Sequence, residues 1–243
     1  MRFLIPLLAL FAFTVHAAPI VVGTMAFNPP FETAADKNGN FFGFDIDIMN
    51  EICKRMQAEC IYKPLNFARI FTDLLAGQVD LGLGSISITD TRKETFLFSL
   101  PYMSSSGQFI ARADSTLASI DDLTDKTIGS VEGSLFKALA LAKFHDRIKI
   151  TEYRTLTEVF QALANSNVDA VIADEEAAKY WVATNSSMFK LLGEGMLISV
   201  GYGIMANKNS TDLMNRVNQA LLSMETDGTY LKIYNRYFTE MGR

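Results

Sequence analysis

The chain has 243 residues, is 49% hydrophobic, and balances 27 acidic against 22 basic side chains for a formal net charge of −5. That is enough apolar material to pack two modest domains or one large one. The acidic balance argues against nucleic acid or an anionic membrane surface as a partner. With His145 the one histidine beyond residue 17, the sequence offers no ligand cluster, so no metal or other cofactor is expected.

Residues 1–18 read as a secretory signal peptide. Arg2 precedes an apolar run over residues 3–13 that is too short to span a bilayer, and the small-residue pattern Val15-His16-Ala17-Ala18 follows. Cleavage after Ala17 or Ala18 removes Arg2, leaving 27 acids against 21 bases, a net charge of −6. No cysteine follows the run, so no lipid anchor is expected, and no later stretch is apolar enough to span a membrane. The expected product is exported and soluble, without stable membrane insertion.

The β-branched run Ile20–Met25 predicts a strand buried on both faces. Asn28-Pro29-Pro30-Phe31 breaks it, and residues 36–40 carry turn chemistry. A helix is predicted from about Asp45, with Ile48, Met49, Ile52, Cys53 and Met56 as its apolar stripe. Asp45 and Asp47 suit the positive end of its dipole and read as structural rather than as a catalytic pair. A strand over 59–62, a helix through Leu75 ended by Gly77, and a strand over 79–83 come next.

Residues 82–92, Gly-Leu-Gly-Ser-Ile-Ser-Ile-Thr-Asp-Thr-Arg, then turn from apolar to small and polar. Thr89 is a good helix N-cap. Small hydroxyls at a strand end followed by one arginine, whose planar fork holds both oxygens of a carboxylate, suit an anionic ligand. The alternative is that Arg92 pairs with a surface acid and the serines are loop.

Alternation of strand and helix continues: strands over 127–131, 148–153 and 170–173, and helices over 134–144, 156–165 and 175–182. Such repeats imply mostly parallel sheets wrapped by helices. Residues 75–83 and 163–172 echo each other as helix, tight turn, Val-Asp and apolar strand, which points to two similar lobes. Residues 101–107 read as a flexible crossing between them, and the Gly-rich residues 199–204 as a second, with helices over 211–225 and 229–238 returning to the first lobe. Ligands of open α/β sheets bind beyond the carboxyl ends of strands. Facing lobes would set Arg92 against Asp174 and grip the two charged ends of an α-amino acid; Asp174 could instead cap the helix that follows it.

In an exported protein Cys53 and Cys60 read as one local disulfide, with two buried thiols as the alternative. His145, in a charged segment closing a helix, reads as solvated.

With these pieces in place the chain resembles the periplasmic amino-acid-binding proteins of ABC importers, the family of the histidine, lysine/arginine/ornithine, glutamine and arginine binders. The resemblance runs through Gly23-Thr24, Pro29-Pro30-Phe31-Glu32, Gly43-Phe44-Asp45-Ile46-Asp47, Ser87-Ile88-Thr89 with Arg92, Pro101-Tyr102 and Asp227-Gly228-Thr229-Tyr230. It implies a two-lobed type II periplasmic binding fold with two crossover segments, a first lobe of residues 19–105 and 201–243, and a second of 106–200. Cys53 and Cys60 look like the disulfide of the histidine and lysine/arginine/ornithine binders. The resemblance places the α-carboxylate on Arg92, Ser85 and Ser87, and on the turn at Gly133, Ser134 and Leu135, where N–H groups at a helix start face an anion. It places the α-ammonium on Asp174, with Phe67 covering the ligand side chain.

Two departures stand out. Asn28 occupies the place of an aromatic, with Phe27 one residue earlier, so the aromatic sandwich is expected to be one-sided. Met25 stands where cationic binders carry a distal aspartate, leaving Glu32 and Glu132 as candidate acids. The resemblance implies a monomer that closes on a free polar or cationic amino acid, arginine foremost, and hands it to an inner-membrane ABC permease. The rival is a cyclohexadienyl or arogenate dehydratase-like enzyme on the same fold, with Asp174 or Glu175 as proton donor.

Overall fold

The structure, a computed structural model, describes residues 18–34, 40–145 and 147–239. The signal peptide lies outside them apart from Ala18, as does the 36–40 turn apart from Asn40. In chain order the first part comprises β1 (Ile20–Met25), the small hairpin strands β2 (Phe27–Asn28), β3 (Glu32–Ala34) and β4 (Phe41–Phe42), then α1 (Phe44–Arg55), β5 (Cys60–Leu65), α2 (Phe67–Leu75), β6 (Leu81–Gly82), α3 (Asp90–Thr95) and β7 (Phe96–Phe98). The chain continues through β8 (Met103–Arg112), β9 (Thr127–Val131), α4 (Phe136–Phe144), β10 (Lys149–Tyr153), α5 (Leu156–Ala164), β11 (Ala170–Asp174), α6 (Glu175–Thr184) and β12 (Phe189–Tyr202). It ends with β13 (Met205–Asn207), α7 (Thr211–Thr226) and α8 (Thr229–Phe238).

Two five-stranded sheets result, ordered β5-β1-β6-β13-β7 and β10-β9-β11-β8-β12. In each, the central βαβαβ unit pairs in parallel, and two further strands add antiparallel. Four of the five strands in each sheet thus run the same way, as expected, and one, β13 or β8, runs against them. The opposed strand is the one the chain enters directly from the other sheet, whereas successive strands joined through a helix run parallel.

The echo has a common job. Asp80 Oδ2 accepts from Val21 N at 2.8 Å, and Asp169 Oδ2 accepts from Thr127 N at 2.8 Å. Each aspartate thus satisfies an N–H at the start of the strand next to its own, β1 or β9. Helices cover the sheets through stripes at the expected spacing: Phe67, Ile70 and Leu74 on α2, and Leu156, Val159, Phe160 and Leu163 on α5.

Residues 101–107, read from sequence as a flexible crossing, are mostly strand. Met103–Arg112 pairs antiparallel with Phe189–Tyr202 over its whole length, from Phe189 opposite Arg112 to Tyr202 opposite Met103. Small serines and Gly107 disguise the strand because its neighbours, not its own side chains, bury it. The long helices α7 and α8 pack on α1 of the first sheet, where Phe44 is ringed by Tyr102, Tyr230, Tyr234, Tyr237 and Phe238.

Cys53 and Cys60 are disulfide-bonded across the turn from α1 to β5. Replacing both with alanine should cost roughly 2–3 kcal/mol by the loop-closure estimate and leave ligand affinity within a few-fold, since neither lines the cavity described below. Urea unfolding and titration calorimetry on the double variant check both. Asp45 and Asp47 lie in the first turn of α1 as expected, and Asp45 is fully buried there. His145 is exposed and ends α4 in the left-handed region at φ 49°.

Candidate functional site

The carboxyl ends of β6 and β11, one from each sheet, face each other across a cavity, the place where open α/β sheets bind small molecules. All eight residues selected from sequence line it: Asn28, Phe67, Ser85, Ser87, Arg92, Ser134, Leu135 and Asp174. So do Met25, Val131, Phe136, Leu156 and Ala173, so one apolar wall surrounds a polar end.

The polar end is built on β6. Past Gly84 the chain turns into Ser85 at φ 43°, a left-handed conformation that a serine adopts at a cost. Asp45 pins it there, since its Oδ2 accepts from Ser85 N at 2.9 Å and from the Tyr102 hydroxyl at 2.9 Å. Burial raises the Asp45 pKa to about 7 against these lowering bonds. Ser87 Oγ meets Ser105 Oγ of β8 at 2.9 Å. Thr89 caps α3 by accepting from Arg92 N at 3.2 Å.

Arg92 points back along this loop. Its Nη1 donates to Ser87 O at 2.9 Å, and its Nη2 reaches across the cleft to Gly133 O at 3.2 Å. The guanidinium lies over Phe71 at 4.8 Å and Phe67 at 5.7 Å. Among the described residues no carboxylate lies within ion-pair distance of it. Burial lowers its pKa to about 10, partly offset by Asp174. The surface ion pair weighed from sequence is not formed; this cation is held by carbonyls and aromatic faces, oriented for an anion that fits its fork.

Asp174 ends β11 as the N-cap residue of α6, but its side chain makes no capping bond. Instead Oδ2 accepts from Ser85 Oγ at 2.9 Å and Oδ1 from the Tyr202 hydroxyl at 2.6 Å. Burial raises its pKa to about 6, opposed by these two bonds and by Arg92. Tyr202, on β12, escaped the sequence reading, and nothing local marks it, because its partner is 28 residues away.

The turn at Gly133 needs two corrections. α4 begins at Phe136, two residues later than predicted, and Ser134 N is engaged by Val131 O at 3.2 Å. Gly133, at φ 78°, approaches α2 so closely that a Cβ would sit 3.2 Å from Ala68 Cβ. Phe136 is a second aromatic residue lining the cavity. Phe27 is elsewhere, edge-on to Trp181 at 6.0 Å. Glu132 is exposed and does not line the cavity, whereas Glu32 is buried behind it.

Two α/β lobes joined by paired strands around an enclosed cleft define a type II periplasmic binding fold. A family profile described as bacterial extracellular solute-binding proteins, family 3, matches residues 20–240. ABC transporter arginine-binding protein 1 of Escherichia coli (strain K12) is 31% identical over 238 residues, covering 96% of this chain and 97% of that protein. The lysine/arginine/ornithine-binding periplasmic protein of the same organism is 31% identical over 225 residues, 89% of this chain and 86% of that protein. Among solved structures, an arginine 3rd transport system periplasmic binding protein from Legionella pneumophila superposes with a TM-score of 0.88 at 40% identity, over 91% of this chain and 100% of that one. An ancestral arginine-binding protein bound to arginine gives 0.84 at 32%, over 92% and 99%. The chain belongs to the bacterial extracellular solute-binding proteins, family 3.

Proposed function

We propose that this protein captures a free L-amino acid, arginine foremost, in the periplasm and delivers it to an inner-membrane ABC permease. The observation that carries this reading is the shared cavity of Arg92 and Asp174, a fixed cation and a carboxylate from opposite lobes with small hydroxyls between them. Arg92 takes the α-carboxylate with Ser87 and Leu135; Asp174 and Ser85 take the α-ammonium. Residues 19–105 with 201–243 form one lobe and 106–200 the other, and the paired strands β8 and β12 flex as the hinge. Ligand bridging the lobes shifts the population toward the closed form, which the permease recognises. The mature chain acts as a monomer, free of the membrane after its signal peptide is cleaved.

The reading is one of binding, not catalysis, and the names of the relatives support it. Thermal-shift measurement across the standard amino acids tests it, because a ligand of the native state raises the midpoint by mass action. Turnover of arogenate or prephenate with no amino-acid shift would reverse it. Phe67→Ala removes an apolar wall without touching the charged ends, so it should reorder which amino acids shift, weakening long side chains by about 1–3 kcal/mol. An unchanged ranking would take Phe67 out of the side-chain subsite.

A further inference from the structure

Glu32 is fully buried, and capture of the ionic head makes no use of it. Its Oε2 meets no hydrogen-bond partner, and burial holds its pKa well above the usual carboxylate range, with Asp45 adding to the rise. Its Oε1 accepts from Asn28 Nδ2 at 3.3 Å, and the same Nδ2 donates to Ser85 Oγ at 3.2 Å. Gly84 makes room for this packing, since a Cβ there would lie 2.7 Å from Glu32 Oε1.

The orientation of the Asn28 amide follows from counting hydrogens. Ser85 Oγ has one hydrogen and gives it to Asp174 Oδ2. Toward Asn28 it can therefore only accept, so the amide must present its NH2 group there, whether or not Glu32 carries a proton. Both N–H bonds of Asn28 are then committed, one to Glu32 and one to Ser85. Asn28 nevertheless lines the cavity. The atom it has left for a ligand is Oδ1, an acceptor with no hydrogen to give.

We propose that Asn28, locked by Glu32 and Ser85, selects amino acids whose side chains end in planar N–H donors, guanidinium, ureido or terminal amide, by accepting a hydrogen bond at Oδ1. This rests on the amino-acid-binding reading above and extends it to the side chain. The flanking Met25, Phe67 and Phe136 fit an aliphatic stem, and an acidic side chain would set acceptor against acceptor.

Titration calorimetry with arginine, citrulline and norleucine on the wild type and Asn28→Leu tests the assignment. The wild type should favour arginine and citrulline over norleucine, and in Asn28→Leu both preference ratios should fall roughly tenfold or more, the worth of a lost hydrogen bond to a charged or amide group. Should that variant melt early or fail to fold, Asn28→Ala is read in the same way. Equal weakening of all three ligands would mean that Asn28 reads the α-ammonium and would overturn the assignment, as would unchanged ratios. A wild type that binds none of the standard amino acids would overturn the parent reading and this one together, whereas loss of selectivity control in a protein that still binds them strikes this one alone.

Discussion

Arg92→Ala is expected to abolish the thermal shift for every amino acid that stabilises the wild type. The guanidinium is the one cation lining the cavity, and its two-pronged geometry is already set by Ser87 O and Gly133 O. Removing one member of a buried, hydrogen-bonded charge pair costs about 2–5 kcal/mol. That weakens affinity by roughly thirtyfold or more and erases a mass-action stabilisation of comparable size. Substitution to lysine should recover little, because a point charge cannot reproduce the fork. The measurement is thermal shift with calorimetry, the ligand-free melting curve serving as the folding control. A response retained in Arg92→Ala would remove the proposed anchor.

Acidification should act in opposite directions on the ligand-free and ligand-bound protein. Binding an α-ammonium needs Asp174 ionised, and burial has raised its pKa to about 6. Affinity should therefore fall as pH drops through about 6, by up to tenfold per pH unit. The ligand-free protein gains over the same range. Asp174, Asp45 at about 7, and Glu32 all have folded-state values above their unfolded ones. Their contribution to stability is complete below the unfolded value, about 4; that of Asp174 and Asp45 is lost as pH rises through 6 to 7, and Glu32 acts in the same direction. Asp73, Asp122 and Asp227, whose carboxyls are held below the ordinary range, lose their contributions only at lower pH. The melting midpoint without ligand should thus rise from pH 8 to pH 5 while the increment from ligand shrinks. Asp174→Asn should flatten the pH dependence of that increment and weaken binding roughly a hundredfold. An increment independent of pH in the wild type would take Asp174 out of ammonium recognition.

Much of the architecture was legible because it is local. The β-branched run at residues 20–25, the stripes of α2 and α5, and the Thr89 cap each follow from spacing and side-chain type, and the structure has them where periodicity puts them. The Val-Asp echo was legible as a repeat, though the shared bond of Asp80 and Asp169 to a neighbouring strand was not. Strand β8 was missed over residues 103–107 because serine and glycine carry no apolar alternation. The start of α4 was set two residues early because Ser134 stands before the helix, where its hydroxyl donates to Val131 O and accepts from Phe136 N at 3.4 Å.

By itself the sequence determined the elements, their order and which residue types could meet the two ends of a small charged molecule. Only the tertiary structure decided that Arg92 and Asp174 share one cavity, that Tyr202 holds Asp174, and that Phe136 lines the same cavity. The physical reason is range. Periodicity and capping act over a few residues of one chain segment, whereas a buried hydrogen bond is settled by whichever partner the packing of distant segments brings within 3 Å.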